Sequence, residues 1–266
     1  MPKAKPTQVS AFELYALGIT IVVGGQYFGW NPGLSSGFGS FAISSFLMGA
    51  AYICLCSCIG EVTSAAPFAG GSYGLARCTL GNHLGFFVGC AECAEYILYV
   101  ATSVFALAAI IVEMAPEMSG YEPLIWFLFF ATAMPIYIYG GKLFWVATVI
   151  LAIISLIIVF IYGFGSIQYT NFDHNASSSE FPMFRGGMVE YIKVMPLPAW
   201  FYVGVESISF AVNNSPTPKT SVPLAQMACV FTLFGTMMLV LFVSCSLPEG
   251  IEGLVSAPTV FGSGKY

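Results

Sequence analysis

An all-α polytopic membrane protein is the fold class this sequence predicts, and three observations predict it. Hydrophobic residues make up 58% of the 266 residues and charged residues only 8%, whereas an average soluble domain has about a quarter of its residues charged. Mean hydropathy is +0.84. The apolar residues also fall in continuous runs without a period-2 alternation. A hydrocarbon core of about 30 Å admits either helices of about 20 residues or closed barrels of alternating strands, so such runs read as helices.

Glycine, proline and charge divide the runs into seven expected spans: 11–34, 41–62, 85–112, 123–139, 143–163, 197–212 and 224–246. Residues 1–10 carry Lys3 and Lys5 ahead of a run too long for a signal peptide and lacking a small-residue cleavage site, so they are expected to form a cytoplasmic tail. With that end inside, Arg77, Lys142 and Lys219 are also cytoplasmic, while Arg185, Lys193 and Lys265 fall outside. Residues 11–163 then hold helices 1–5, 164–196 form an extracellular loop, 197–246 hold helices 6 and 7, and 247–266 form an extracellular tail. The outer loop contains Asn175-Ala176-Ser177, which makes Asn175 a glycosylation candidate.

Several function classes have no support in this composition. The net charge of −5 is dispersed, and no basic patch suited to nucleic acid is present. Cys90 and Cys93 form a C-x-x-C, but with two histidines in the chain and no partner pair they read as buried apolar thiols, like the other cysteines within apolar runs. No paired-histidine or P-loop motif suggests an enzyme, and no metal or cofactor is implied.

The first and sixth spans are irregular. The first contains Gly24-Gly25-Gln26-Tyr27-Phe28-Gly29-Trp30-Asn31-Pro32-Gly33, and the sixth Trp200-Phe201-Tyr202-Val203-Gly204-Val205-Glu206-Ser207. Glycine and proline at that density oppose an unbroken helix. Unwound backbone at membrane depth persists where it lines a cavity or is buried in protein. Two such segments five helices apart are the mark of an inverted-repeat secondary transporter with its site near the midplane. Spans 1–5 would form one repeat, and spans 6 and 7 would begin a second, incomplete one. The competing reading is that these glycines only allow close helix packing.

The connection after span two reads Glu61-Val62-Thr63-Ser64-Ala65-Ala66-Pro67-Phe68-Ala69-Gly70-Gly71-Ser72-Tyr73-Gly74-Leu75-Ala76-Arg77, with Gly81, Gly85-Phe86 and Gly89 following. This pattern resembles the signature of the amino acid/polyamine/organocation permeases. Gln26-Tyr27-Phe28-Gly29-Trp30-Asn31 and Glu95-Tyr96 are most similar to the ethanolamine permease branch. The resemblance implies a twelve-helix fold of five-plus-five inverted repeats, which this chain leaves soon after span seven. Asn213-Asn214 stand where family members often carry two acids.

The implied activity is transport of a small amine solute, ethanolamine or an amino acid, across the plasma membrane by alternating access, with the coupling ion left open. A permease-like fragment or sensor that binds solute or a partner subunit is the alternative. Glu206 is the expected counter-ion of the substrate amine, with Gly204, Ser207 and Tyr202 shaping the pocket. Gly24, Gly25, Gln26 and Tyr27 would address the other end of the substrate. Glu92 and Glu95, three apart on one helix face, could hold an exchangeable proton or form an interior hydrogen-bonded pair. Glu61 and Arg77 flank the inner connection as an expected ion pair or gate contact.

Overall fold

The computed structural model describes residues 8–68, 70–257 and 259–260. Lys3, Lys5, Lys265 and the ends of both expected tails lie outside the described residues. Among the described residues the chain forms ten α-helices and six 3₁₀ segments, with no strand. The α-helices are α1 (Ala11–Val22), α2 (Phe38–Ala65), α3 (Gly71–Leu80), α4 (Asn82–Met114), α5 (Glu122–Tyr139), α6 (Gly141–Ser166), α7 (Phe172–Asn175), α8 (Gly187–Val194), α9 (Pro218–Ser246) and α10 (Gly250–Ser256). Five of them, α2, α4, α5, α6 and α9, are long and apolar enough to cross a membrane.

The other two expected spans do not continue as α-helices. α1 opens on a capping box in which the Ser10 amide donates to Glu13 Oε2 at 2.7 Å and the Ser10 hydroxyl accepts from the Glu13 amide. It ends at Val22, passes into a 3₁₀ turn at Val23–Gln26, and resumes as 3₁₀ at Asn31–Ser36. The sixth segment contains no α-helix. Two 3₁₀ stretches, Leu197–Phe201 and Val205–Asn214, meet at Gly204, whose φ of +99° is a left-handed conformation suited to glycine.

Small residues set the packing elsewhere. α3, within the glycine-rich connection, was expected only as a loop. A Cβ on Gly85 would lie 2.7 Å from the Arg77 Cα, and one on Gly89 would lie 2.8 Å from the Tyr73 ring. These signature glycines therefore let α3 lie flat on the start of α4. α9 begins at Pro218, six residues earlier than expected, and carries Pro223 in its second turn. Proline lacks the N–H that would bond the Lys219 carbonyl. Ser64 on α2 supplies the missing donor at 3.0 Å.

The expected outer loop is ordered rather than open. It contains α7 and α8, and between them it crosses the start of α2: the Gly39 amide donates to Met183 O at 2.8 Å and the Arg185 amide to Ser36 O at 2.9 Å. α10 covers the Asn31–Ser36 stretch of the first broken segment. The buried Asn31 side-chain amide donates to both Leu254 O and Ala257 O at 2.8 Å, and the Val260 amide donates to Tyr27 O at 2.9 Å.

The two broken segments touch at Gly25. A Cβ there would overlap the Trp200 carbonyl, whereas a Cβ on neighbouring Gly24 would meet nothing closer than 3.9 Å. Gly25→Ala should therefore destabilise the fold by about 1–3 kcal/mol, while Gly24→Ala should stay close to the parent. Thermal unfolding of the two variants in one detergent checks the contrast. Equal melting temperatures would show that the two segments are not in contact.

Candidate functional site

Breaking α1 at Val22 frees backbone carbonyls that an α-helix would have bonded. The Val23 amide bonds back to Ile19 O, and the Tyr99 hydroxyl on α4 donates to Ile21 O at 3.0 Å. The Tyr99 ring stacks on Trp200 with centroids 5.8 Å apart and planes 25° from parallel. Tyr99 thus contacts both broken segments at once. A Cβ on Gly204 would lie 2.8 Å from Ile21, so the second interruption also rests on the first.

Glu206 lies two residues beyond Gly204 and is half-buried. Its Oε1 accepts from the Tyr96 hydroxyl of α4 at 3.0 Å. The ion pair formed among the described residues is Glu190–Lys193, so Glu206 meets a hydroxyl and no base. One turn toward the N-terminus of α4 lies Glu92, whose Oε1 is shielded from solvent and has no hydrogen-bond partner. Glu95, on the same helix, is exposed.

Beside these groups is a cleft of ≈ 1250 Å³ bounded by α1, α4, α5, α6 and the second 3₁₀ stretch of the sixth segment. Its walls are mostly apolar, and its polar lining includes Glu92, Tyr96, Tyr99 and Ser207, with no lysine, arginine or histidine. Ser207 is 8% exposed and its hydroxyl has no partner. Of the expected substrate residues, Ser207 lines this cleft directly, and Glu206 reaches it through Tyr96.

The remaining expected residues are distributed around this centre. Gly24 faces the Tyr99 hydroxyl and the Phe28 ring, and Gly25 is pressed against Trp200. Gln26 is fully buried, with neither end of its amide hydrogen-bonded, and does not line the cleft. The Tyr27 hydroxyl donates to Ser155 O of α6 at 2.9 Å. Tyr202 is fully buried and stacks on Tyr52 of α2 at 5.2 Å. The Asn175 amide nitrogen, the atom a glycan would occupy, donates to Ser246 O at 2.8 Å.

Two expectations need correction. Glu61 and Arg77 form no ion pair. Arg77 donates to Asn82 Oδ1 at 3.1 Å and to the Tyr73 hydroxyl at 3.2 Å within the α3–α4 hairpin, while Glu61 is exposed on α2. Arg77 is held by neighbours within five residues in the chain. The cysteines in apolar runs are not uniformly buried either: Cys56, Cys229 and Cys245 are, but Cys54, Cys58, Cys90 and Cys93 are exposed.

Sequence reasoning missed Tyr99, Trp200 and Tyr52, and gave Tyr96 no role. One signal was available: Tyr96 and Tyr99 follow Glu92 at i+4 and i+7, on the same helix face. Among the described residues, no group of three histidine, cysteine or acidic side chains is placed to hold a metal ion.

A bundle of membrane-length helices around two broken segments, with a carboxylate at the break and a cleft beside it, defines an integral multi-pass membrane protein of the permease type. The family model described as amino acid permease matches residues 9–263. The chain belongs to that family. It is 28% identical over 233 residues to an uncharacterized transporter of Rhizobium meliloti (strain 1021), covering 83% of this chain and 49% of the relative. It is 23% identical over 264 residues to the amino-acid permease RocC of Bacillus subtilis (strain 168), covering 93% of this chain and 55% of the relative. The chain thus spans about half the length of these curated relatives.

Removing the Tyr99 hydroxyl should expose its position as a cap. Tyr99→Phe leaves the Ile21 carbonyl without that donor and should cost about 1 kcal/mol of stability. Tyr137→Phe, at another cleft-lining hydroxyl, serves as the control for losing a phenol. Unfolding curves that move equally for both variants would deny Tyr99 its capping role.

Proposed function

We propose that this chain forms the core of a transporter that carries a small amine solute by alternating access, and that Glu206 recognises the substrate ammonium. The observation that carries this reading is the carboxylate itself: it sits at a helix break, bonds the Tyr96 hydroxyl rather than a basic side chain, and adjoins a cleft whose lining holds no cationic side chain. A carboxylate taken from water costs several kcal/mol unless a partner compensates it. An ammonium supplies that partner, and an amine is common to ethanolamine and to the amino acids named for the Bacillus relative. Ethanolamine is favoured by the sequence resemblance of the first interruption, with freed glycine amides or Gln26 addressing its hydroxyl end.

The shape of the cleft supports an inward-facing state. It is lined by Gly70 and Tyr73 at the α3 end, by α4 from Phe86 to Val104, and by residues on both sides of the α5–α6 turn, and the α3 end and that turn are expected on the cytoplasmic side. At the other end, Trp30 packs on Phe41 and Phe201 with centroids 5.8 and 5.1 Å away. The inverted-repeat relation between the two broken segments and the placement of Glu92 and Glu95 on a proton route are parts of the same proposal.

Two measurements test it, both made on the protein at the length its gene encodes. Two opposite charges at an effective dielectric of about 20 attract by several kcal/mol. Glu206→Gln should therefore raise the ethanolamine Kd by at least about tenfold, equivalent to ~1.4 kcal/mol, and should weaken a neutral isostere less. Unchanged binding and uptake in Glu206→Gln would make the carboxylate a structural partner of Tyr96. For topology, a cysteine introduced at Ser179 should react with an impermeant maleimide added to intact cells. Reaction only after permeabilisation would invert the orientation.

A further inference from the structure

The sequence pattern alone gives the C-x-x-C of α4 as buried apolar thiols. In the structure Cys90 and Cys93 are both exposed, and both line the cleft beside Glu92 and Tyr96. They are three residues apart on one α-helix, which makes them neighbours on the helix surface with Cβ atoms about 5–6 Å apart. A relaxed disulfide needs a Cβ–Cβ separation of about 3.8 Å. The pair is thus too widely spaced for direct oxidation on an intact helix, but suited to two sulfurs bridged by one further atom.

We propose that Cys90 and Cys93 form a dithiol site that captures a trivalent arsenical in the cleft. The exchange is balanced without an oxidant. A phenylarsenoxide gives up its As=O bond, arsenic gains two As–S bonds, and the two thiol protons leave with the oxygen as water. Arsenic remains trivalent throughout. Cys54 and Cys58, one turn apart on α2, are also exposed but line no part of this cleft. Cys56, Cys229 and Cys245 are buried in the helix packing. Cys78 of α3 is exposed but has no second cysteine within a helical turn, so an arsenical too polar to enter lipid selects the α4 pair for a bridged adduct.

The test uses a charged, membrane-impermeant phenylarsenoxide on sealed vesicles of both orientations containing the protein at its encoded length. Proteolysis and mass spectrometry should locate one bridging phenylarsenic on the segment holding Cys90 and Cys93, removable by 2,3-dimercaptopropanol. Losing one sulfur removes the intramolecular second bond, so Cys90→Ser and Cys93→Ser should each raise the half-labelling concentration by about 100-fold or more. An adduct on Cys54–Cys58 instead, a labelling curve unmoved by either serine, or no bridged adduct in the parent protein would each overturn the proposal. The parent adduct is read without any variant, so a serine protein that fails to fold does not remove the test. Mass is read rather than uptake, so the outcome is independent of whether Glu206 binds an amine.

Discussion

The fold depends on one backbone contact, Gly25 against the Trp200 carbonyl. Two segments that leave the α-helix inside a membrane each carry backbone donors and acceptors that lipid cannot satisfy. They can be placed only where each buries the other and where side chains reach the freed groups. A hydrogen in place of a methyl at residue 25 makes that approach available. From it follow the stacking of Trp200 on Tyr99 and the reach of the Tyr99 hydroxyl to Ile21 O.

That contact also divides the bundle into unlike ends. On the side of α8 and α10, Trp30 is enclosed by Phe41 and Phe201, and Asn31 is tied by two hydrogen bonds to the segment that includes α10. The strand of chain at 183–185 crosses the start of α2 and is bonded to Gly39 and Ser36. On the side of α3, the helices diverge around the cleft, and the first segment is a capped α-helix packed on α6, α9 and the second 3₁₀ stretch. The tightly tied half of the first segment is the irregular one, and the regular half borders the space.

The sequence announced those features that depend on residue type along the chain. Five long apolar runs became five membrane-length helices, and the glycine clusters at 24–33 and 204 marked both interruptions within a few residues. Features that depend on which face of a helix meets which neighbour were not legible. α2, α4 and α6 are apolar nearly all round, so periodicity carries little information about which side faces lipid, a neighbour or a cleft. This is why Cys90 and Cys93 read as buried. α3 was hidden for a different reason: its glycines look like loop formers, yet they act by removing side chains from a helix crossing.

Glu206 shows why the break, the carboxylate and the tyrosines belong together. A hydrogen bond from a hydroxyl to a charged group contributes about 1.5–3 kcal/mol, less than the several kcal/mol that desolvating a carboxylate costs. The Tyr96 hydroxyl and the Gly204 and Glu206 amides together offset part of that cost at Glu206. Ser207, the next residue, has its own hydroxyl unbonded at the edge of the cleft, so it adds no compensation from within the protein. An unbroken helix would bind its own amides and hold the carboxylate on a closed surface. The left-handed turn at Gly204 instead presents Glu206 and Ser207 beside a space large enough for a solute.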